Sequence, residues 1–139
     1  MRYMLDTNIV SYALRDAHRV ANALAHHAHA GLLLSAVVLA EGRAGAYRSS
    51  RHEHWIEGWT RLTAGWEVVP FDEQCADTYG RIRADLEGRG TMIGHRDCQI
   101  AASALAYVQR HHQPVTVVTD NVDEFRRIPG LKVANWAKR

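Results

Sequence analysis

Hydrophobic positions along the chain fall into short blocks, some spaced as buried strands and others as amphipathic helices. Tyr3 to Leu5 reads as a strand, and Asp6-Thr7-Asn8 supplies three good capping residues ahead of a helix through Ile9 to Leu14. Ala17, Val20, Ala21, Leu24 and Ala28 recur at helical spacing, which predicts one helix over 17–30 ended by Gly31. Leu32-Leu33-Leu34 reads as a second buried strand, with Ser35 as the cap of a helix beginning near Val37. Trp55, Ile56, Trp59 and Leu62 share one face of a helix over 51–62, and Trp66 to Val69 returns as a strand closed by Pro70. Cys75, Tyr79, Ile82 and Leu86 mark the next helix, after Phe71, and the loop Gly88 to Gly94 leads into another over 96–111. Strands at Thr116 to Val118 and Leu131 to Ala134 complete the pattern.

Short apolar strands alternating with helices predict a single α/β domain over residues 1–139, its short, mainly parallel sheet flanked by helices on both faces. No repeat or low-complexity tract interrupts it. Ligands of such sheets bind beyond the carboxyl ends of the strands, and Asp6 and Asp120 each follow a predicted strand.

Composition narrows the setting. A chain of 139 residues, 47% hydrophobic and 23% charged, can bury one sizeable core. Its apolar runs are too short for a membrane span or a signal peptide, so a cytoplasmic protein is expected. Cys75 and Cys98 then read as reduced core thiols. The net charge of +2 announces no nucleic-acid binder, yet only Lys132 and Lys138 are lysines and the remaining strong bases are arginines. Arg43, Arg48 and Arg51 form one local group and Arg126 and Arg127 another; the arginine fork suits phosphate contacts, although a GC-rich genome gives the same bias.

The chemistry concentrates in Asp6, Glu41, Asp97 and Asp120, acids that abut or interrupt apolar segments where an ionised group needs compensation. Each aspartate has an ordinary alternative as a cap, first-turn or turn residue. Glu41 has none, being mid-helix on the face of Val37, Val38, Ala44 and Gly45. Asp97 heads the stripe Ile100, Ala101, Ala104, Leu105 and Val108. Converging carboxylates repel one another unless a cation neutralises them, and an all-oxygen cluster suits Mg²⁺ or Mn²⁺, the cations of metal-assisted phosphodiester hydrolysis.

Met4-Leu5-Asp6-Thr7-Asn8-Ile9, the Ser35 to Glu41 helix start, Ile93-Gly94 with Asp97 and Ile100-Ala101-Ala102, and Val118-Thr119-Asp120-Asn121 with Glu124-Phe125 resemble the PIN-domain ribonucleases. Within that family the chain is most similar to the VapC toxins of bacterial toxin–antitoxin pairs, in order from Met4 to Trp136. The resemblance implies a Mg²⁺- or Mn²⁺-dependent endoribonuclease with Asp6, Glu41, Asp97 and Asp120 as metal-binding catalytic acids. Asp123 or Glu124 is the alternative to Asp120. Thr7, Asn8, Ser35, Thr119 and Asn121 would support the acids through hydrogen bonds. It implies further a homodimer, a VapB-type antitoxin covering the groove, and a structured RNA substrate such as tRNA. Arg43, Arg48, Arg51, Arg89 and Arg96 are the expected groove cations. The segment Arg96-Asp97-Cys98-Gln99 departs from the family, where bulkier apolar residues more often follow the aspartate.

Other signals carry less. The histidines of 26–29, 52–54 and 111–112 read as solvated helix surface, while His95 lies close enough to Asp97 to touch substrate. Gly88, Gly90 and Gly94 lack the strand and the Lys-Ser or Lys-Thr of a phosphate loop. Trp55 and Trp59 sit at core spacing, so packing or a dimer contact outweighs base stacking. The competing functions are a non-catalytic metal-binding or signal-receiving module and an aspartyl-phosphate phosphatase; the latter typically carries a second aspartate where this chain has Asn8.

Overall fold

A computed structural model describes all residues, 1–139. Five strands, β1 (Arg2–Leu5), β2 (Leu32–Ser35), β3 (Glu67–Val69), β4 (Val115–Val118) and β5 (Lys132–Ala134), form one parallel sheet in the order β3-β2-β1-β4-β5. Every residue of β2 and β4 is buried. Successive strand side chains point to opposite faces, so both faces of the sheet are covered, as the uninterrupted apolar runs require. The covering helices are α1 (Thr7–Leu14), α2 (Val20–His27), α3 (Ala36–Arg48), α4 (His52–Leu62), α5 (Glu73–Arg89), α6 (His95–His111) and α7 (Val122–Phe125). None is long and apolar enough to cross a membrane. Cys75 and Cys98 are buried and unbridged.

Helix starts follow local chemistry. Asp6 caps α1 by accepting from the Thr7 amide, Ser35 caps α3 through the Val37 amide, and Asp72 caps α5 through the Cys75 amide. Gly90 closes α5 in the left-handed conformation at φ 67°.

Two local expectations change, and one short helix is added. The single helix over 17–30 is instead α2, extended by a 3-10 turn, Ala28–Ala30, up to Gly31 at φ 76°. Its start is delayed because Asp16, His18 and Arg19 adopt positive φ of 53°, 53° and 59°, reversing the chain after α1. Of the predicted stripe, only Val20 and Leu24 are buried. The glycine-rich loop shortens to 90–94 because α5 continues through Gly88 to Arg89. The short α7, too brief to show periodicity, is anchored by the fully buried Phe125.

The α3·α4 pair is fixed by one close approach. Trp59 is 5% exposed and lies across Gly42, where an added Cβ would meet its ring at 2.3 Å. Gly42→Ala should therefore destabilise the protein by about 1–3 kcal/mol, since overpacking outweighs the helix-propensity gain. The expected result is a lower urea midpoint with an unchanged slope; an unchanged midpoint would show that Trp59 has room to move.

Candidate active site

The chain leaves β1 toward β2 on one side and later returns to β4 on the other, so the strand order reverses at the carboxyl ends of β1 and β4. This is where an open parallel sheet leaves a crevice. Asp6 follows β1, Thr119 to Asn121 follows β4, Glu41 lies in the second turn of α3, and Asp97 lies in the first turn of α6.

These side chains are joined by continuous hydrogen bonds. Asp6 Oδ1 accepts from the Thr7 amide at 2.7 Å, and its Oδ2 accepts from Thr119 Oγ1 at 2.7 Å. Thr119 Oγ1 in turn accepts from the Asn121 amide, and Asn121 Nδ2 donates to Asp97 Oδ2 at 2.8 Å. In the other direction Thr7 Oγ1 donates to Glu41 Oε1 at 2.9 Å, and Arg96 Nη1 donates to Glu41 Oε2 at 2.8 Å. Asp6, Glu41 and Asp97 thus line one cleft of about 470 Å³, with Asn8, Tyr12 and Asn121 among its other walls.

Crowding shifts the carboxyls. Burial pushes the Asp6 carboxyl up, opposed by its bonds from Thr119 and the Thr7 amide and reinforced by the charge of Glu41. Asp97 is pushed up to about 7, first by burial, then by the charge of Asp6 and by a hydrogen bond with Glu124. Its carboxyl therefore holds its proton more tightly than an ordinary aspartate.

Asp120 does not line this cleft. Its Oδ2 accepts from Tyr12 at 2.7 Å, its Oδ1 accepts from Asn135 at 3.0 Å and from Arg139 at 2.9 Å, and a second Arg139 nitrogen also donates to it. Arg139 first, then Tyr12 and Asn135, hold this carboxyl far below the ordinary aspartate range. The carboxylate of Asp120, expected to join the other three acids, secures the residues after β5 to α1, and Asp123 is exposed.

The supporting residues divide similarly. Thr7, Thr119 and Asn121 hold the acids, Asn8 accepts from the Asp120 amide at 3.2 Å, and Ser35 acts as a helix cap. Of the expected groove arginines, Arg96 lines the cleft, Arg89 is held by Asp85 and the Arg127 carbonyl, and Arg51 lines a separate depression. Arg15 and Tyr12 also line the cleft, at the far end of α1, where no spacing argument had pointed. His95 bonds Tyr79 at 2.6 Å and is not part of the cleft wall.

An all-oxygen set of Asp6, Glu41 and Asp97 fits a hard divalent cation. No three acids close around a single point as they stand, and Glu41 is engaged by Arg96 and Thr7. Holding an ion would require Glu41 to exchange Arg96 for it.

The PIN-domain model matches residues 3–131. The chain is 36% identical to Ribonuclease VapC2 of Rickettsia felis, over 99% of this chain and all of the relative. It is 29% identical to the tRNA(fMet)-specific endonuclease VapC of Salmonella typhimurium, over 98% of each. The solved structure of VapBC2 from Rickettsia felis, bound to a DNA fragment from their promoter, superposes with a TM-score of 0.87 at 34% identity. That match covers 98% of this chain and 99% of that one.

Because Asp97 holds its proton more tightly than an ordinary aspartate at 3.8, its ionisation costs folding stability as pH rises from 3.8 to about 7, and the full cost is present above that. In EDTA, Asp97→Asn should melt close to wild type near pH 4 and a few degrees higher near pH 8. A constant difference across that range would show that Asp97 ionises normally.

Proposed function

The chain belongs to the PIN-domain family, among relatives of the VapC ribonucleases, and we propose that it is a Mg²⁺- or Mn²⁺-dependent endoribonuclease that acts as the toxin of a toxin–antitoxin pair. The observation that carries this reading is the placement of Asp6, Glu41 and Asp97 in one cleft at the strand-order reversal, with arginines at its rim. Asp6, Glu41 and Asp97 would hold the cation, with Glu124, whose carboxyl helps to raise that of Asp97, as the proposed fourth acid. A bound Mg²⁺ or Mn²⁺ supplies Lewis-acid polarisation of the phosphate and lowers the pKa of an attacking water.

The chain's own residues do the positioning. Thr119 and the Thr7 amide fix both oxygens of Asp6, so its carboxylate cannot rotate when charge arrives in the cleft. Asn121 orients Asp97 in the same way. Arg96 neutralises Glu41 in the free protein and, once released, presents its guanidinium to an incoming phosphate. Arg15 offers a second cation on the same rim.

Structured RNA, with tRNA foremost, is the proposed substrate, supported by the relative named for tRNA(fMet). The proposed partner is a VapB-type antitoxin, supported by structural relatives solved as VapBC complexes, and a homodimer in the cytoplasm completes the reading.

Antitoxin-free protein incubated with total cellular RNA should give discrete fragments in Mg²⁺ or Mn²⁺ and none in EDTA. Asp6→Asn should lower cleavage by at least about a hundredfold while leaving the fold intact. Retained cleavage by that variant, or hydrolysis of a simple phosphate monoester in place of RNA, would overturn the assignment. Glu124→Gln should reduce cleavage sharply, whereas Asp120→Asn should stay within a few-fold of wild type and lower the melting temperature. The reverse pattern would return Asp120 to the metal set.

A further inference from the structure

A second cavity, of about 450 Å³, adjoins the acidic cleft between α1, α3 and α4. Thr7, Ser11, Arg15, Glu41 and Arg96 line both, so the Arg96–Glu41 ion pair stands in the wall between them. Beyond that wall, Ala44 and Gly45, which their spacing grouped with Glu41 on a buried face, are exposed. With Gly42 and Ala46 they make the middle of the α3 wall one of small residues, between Glu41 and Arg48 at its two ends. The two tryptophans of α4 separate here. Both line the cavity, but Trp59 is buried across Gly42, whereas Trp55, one turn earlier, is only partly buried.

The charges around this space are Arg15, Arg48 and Arg96 against Glu41 alone, and Glu41 is already neutralised by Arg96. An uncharged apolar occupant would gain nothing from the excess cations. A nucleotide uses both parts, its base having a π-face for Trp55 and its phosphates accepting from arginine forks. The shared wall also keeps the cavity within one nucleotide's reach of a phosphate in the acidic cleft.

We propose that this cavity is a nucleobase subsite, in which an RNA base next to the scissile phosphate stacks on Trp55 while Arg15 and Arg48 hold the flanking phosphates. It rests on the reading of the acidic cleft as the site of RNA cleavage. It assigns Trp55 a substrate contact and leaves Trp59 as packing. The Arg96–Glu41 pair then lies between base and scissile phosphate, so opening it to admit a cation also frees Arg96 toward the RNA strand.

The test is binding of a fluorescent ten-nucleotide single-stranded RNA of mixed sequence, followed by anisotropy in the Asp6→Asn background, which prevents turnover. Trp55→Leu should weaken Kd by about tenfold or more, while Trp55→Phe, which keeps an aromatic face, should retain most of the affinity. RNA should quench part of the tryptophan fluorescence, and that component should vanish in Trp55→Phe. Arg48→Gln should weaken binding and lower its salt dependence by about one phosphate contact. Equal affinity for wild type, Trp55→Leu and Trp55→Phe, in variants with matched melting curves, would overturn the subsite. So would a Trp55→Leu toxin that binds and cleaves RNA normally but escapes an antitoxin, because the cavity would then belong to a protein partner. Loss of the nuclease reading is seen separately, as absence of metal-dependent cleavage by the wild type.

Discussion

One run of hydrogen bonds, Asp97–Asn121–Thr119–Asp6–Thr7–Glu41–Arg96, holds the cleft together, and it begins and ends on adjacent residues of α6. It joins the ends of two strands to the starts of three helices. Without it three carboxyls in a partly buried space would separate, because each ionised oxygen raises the cost of the next. The short polar residues Thr7, Thr119 and Asn121 satisfy those oxygens directly. They also fix which carboxylate oxygens remain free to meet a ligand.

That arrangement depends on the sheet beneath it. β1 and β4 pair in parallel over four residues, Arg2 with Val115 through Leu5 with Val118, which brings Asp6 and Thr119 level at the same edge. A shift of one residue would turn Thr119 away from Asp6 and move every β4 side chain to the opposite, differently packed face. Packing of the apolar strands therefore sets the register of the site. The cations follow from the same geometry, since Arg96 precedes Asp97 at the start of α6 and reaches Glu41 across the cleft. A cation in the first turn opposes the helix dipole, and the Glu41 carboxylate offsets that cost.

Most of the fold was legible from spacing. The strands, the caps at Asp6 and Ser35, and the long helices all arise from interactions within a few residues, and local pattern reports such interactions well. The break before α2 was not legible, because three non-glycine residues in the left-handed region are sustained by tertiary contacts such as the Lys138 amide donating to the His18 carbonyl. In the cleft, Asp6, Glu41 and Asp97 meet as their isolated positions in apolar segments suggested. Asp120 does not line that cleft, because its partners Tyr12, Asn135 and Arg139 are set by the fold and not by spacing. Glu124 was within reach of local reasoning, lying three residues beyond Asn121 and so on the same side of α7.

The sequence by itself determined which segments are buried, where helices begin, and that several acids stand where carboxylates are expensive, because each of these follows from neighbours along the chain. Only the tertiary structure decided which acids share a cleft, that Arg139 and Tyr12 occupy Asp120, and that Trp55 stays half-buried in a cavity wall while Trp59 is buried against Gly42. Those outcomes depend on strand order and on partners distant in the chain. Residue spacing encodes the direction of a side chain along its own element, but not what the fold brings opposite it.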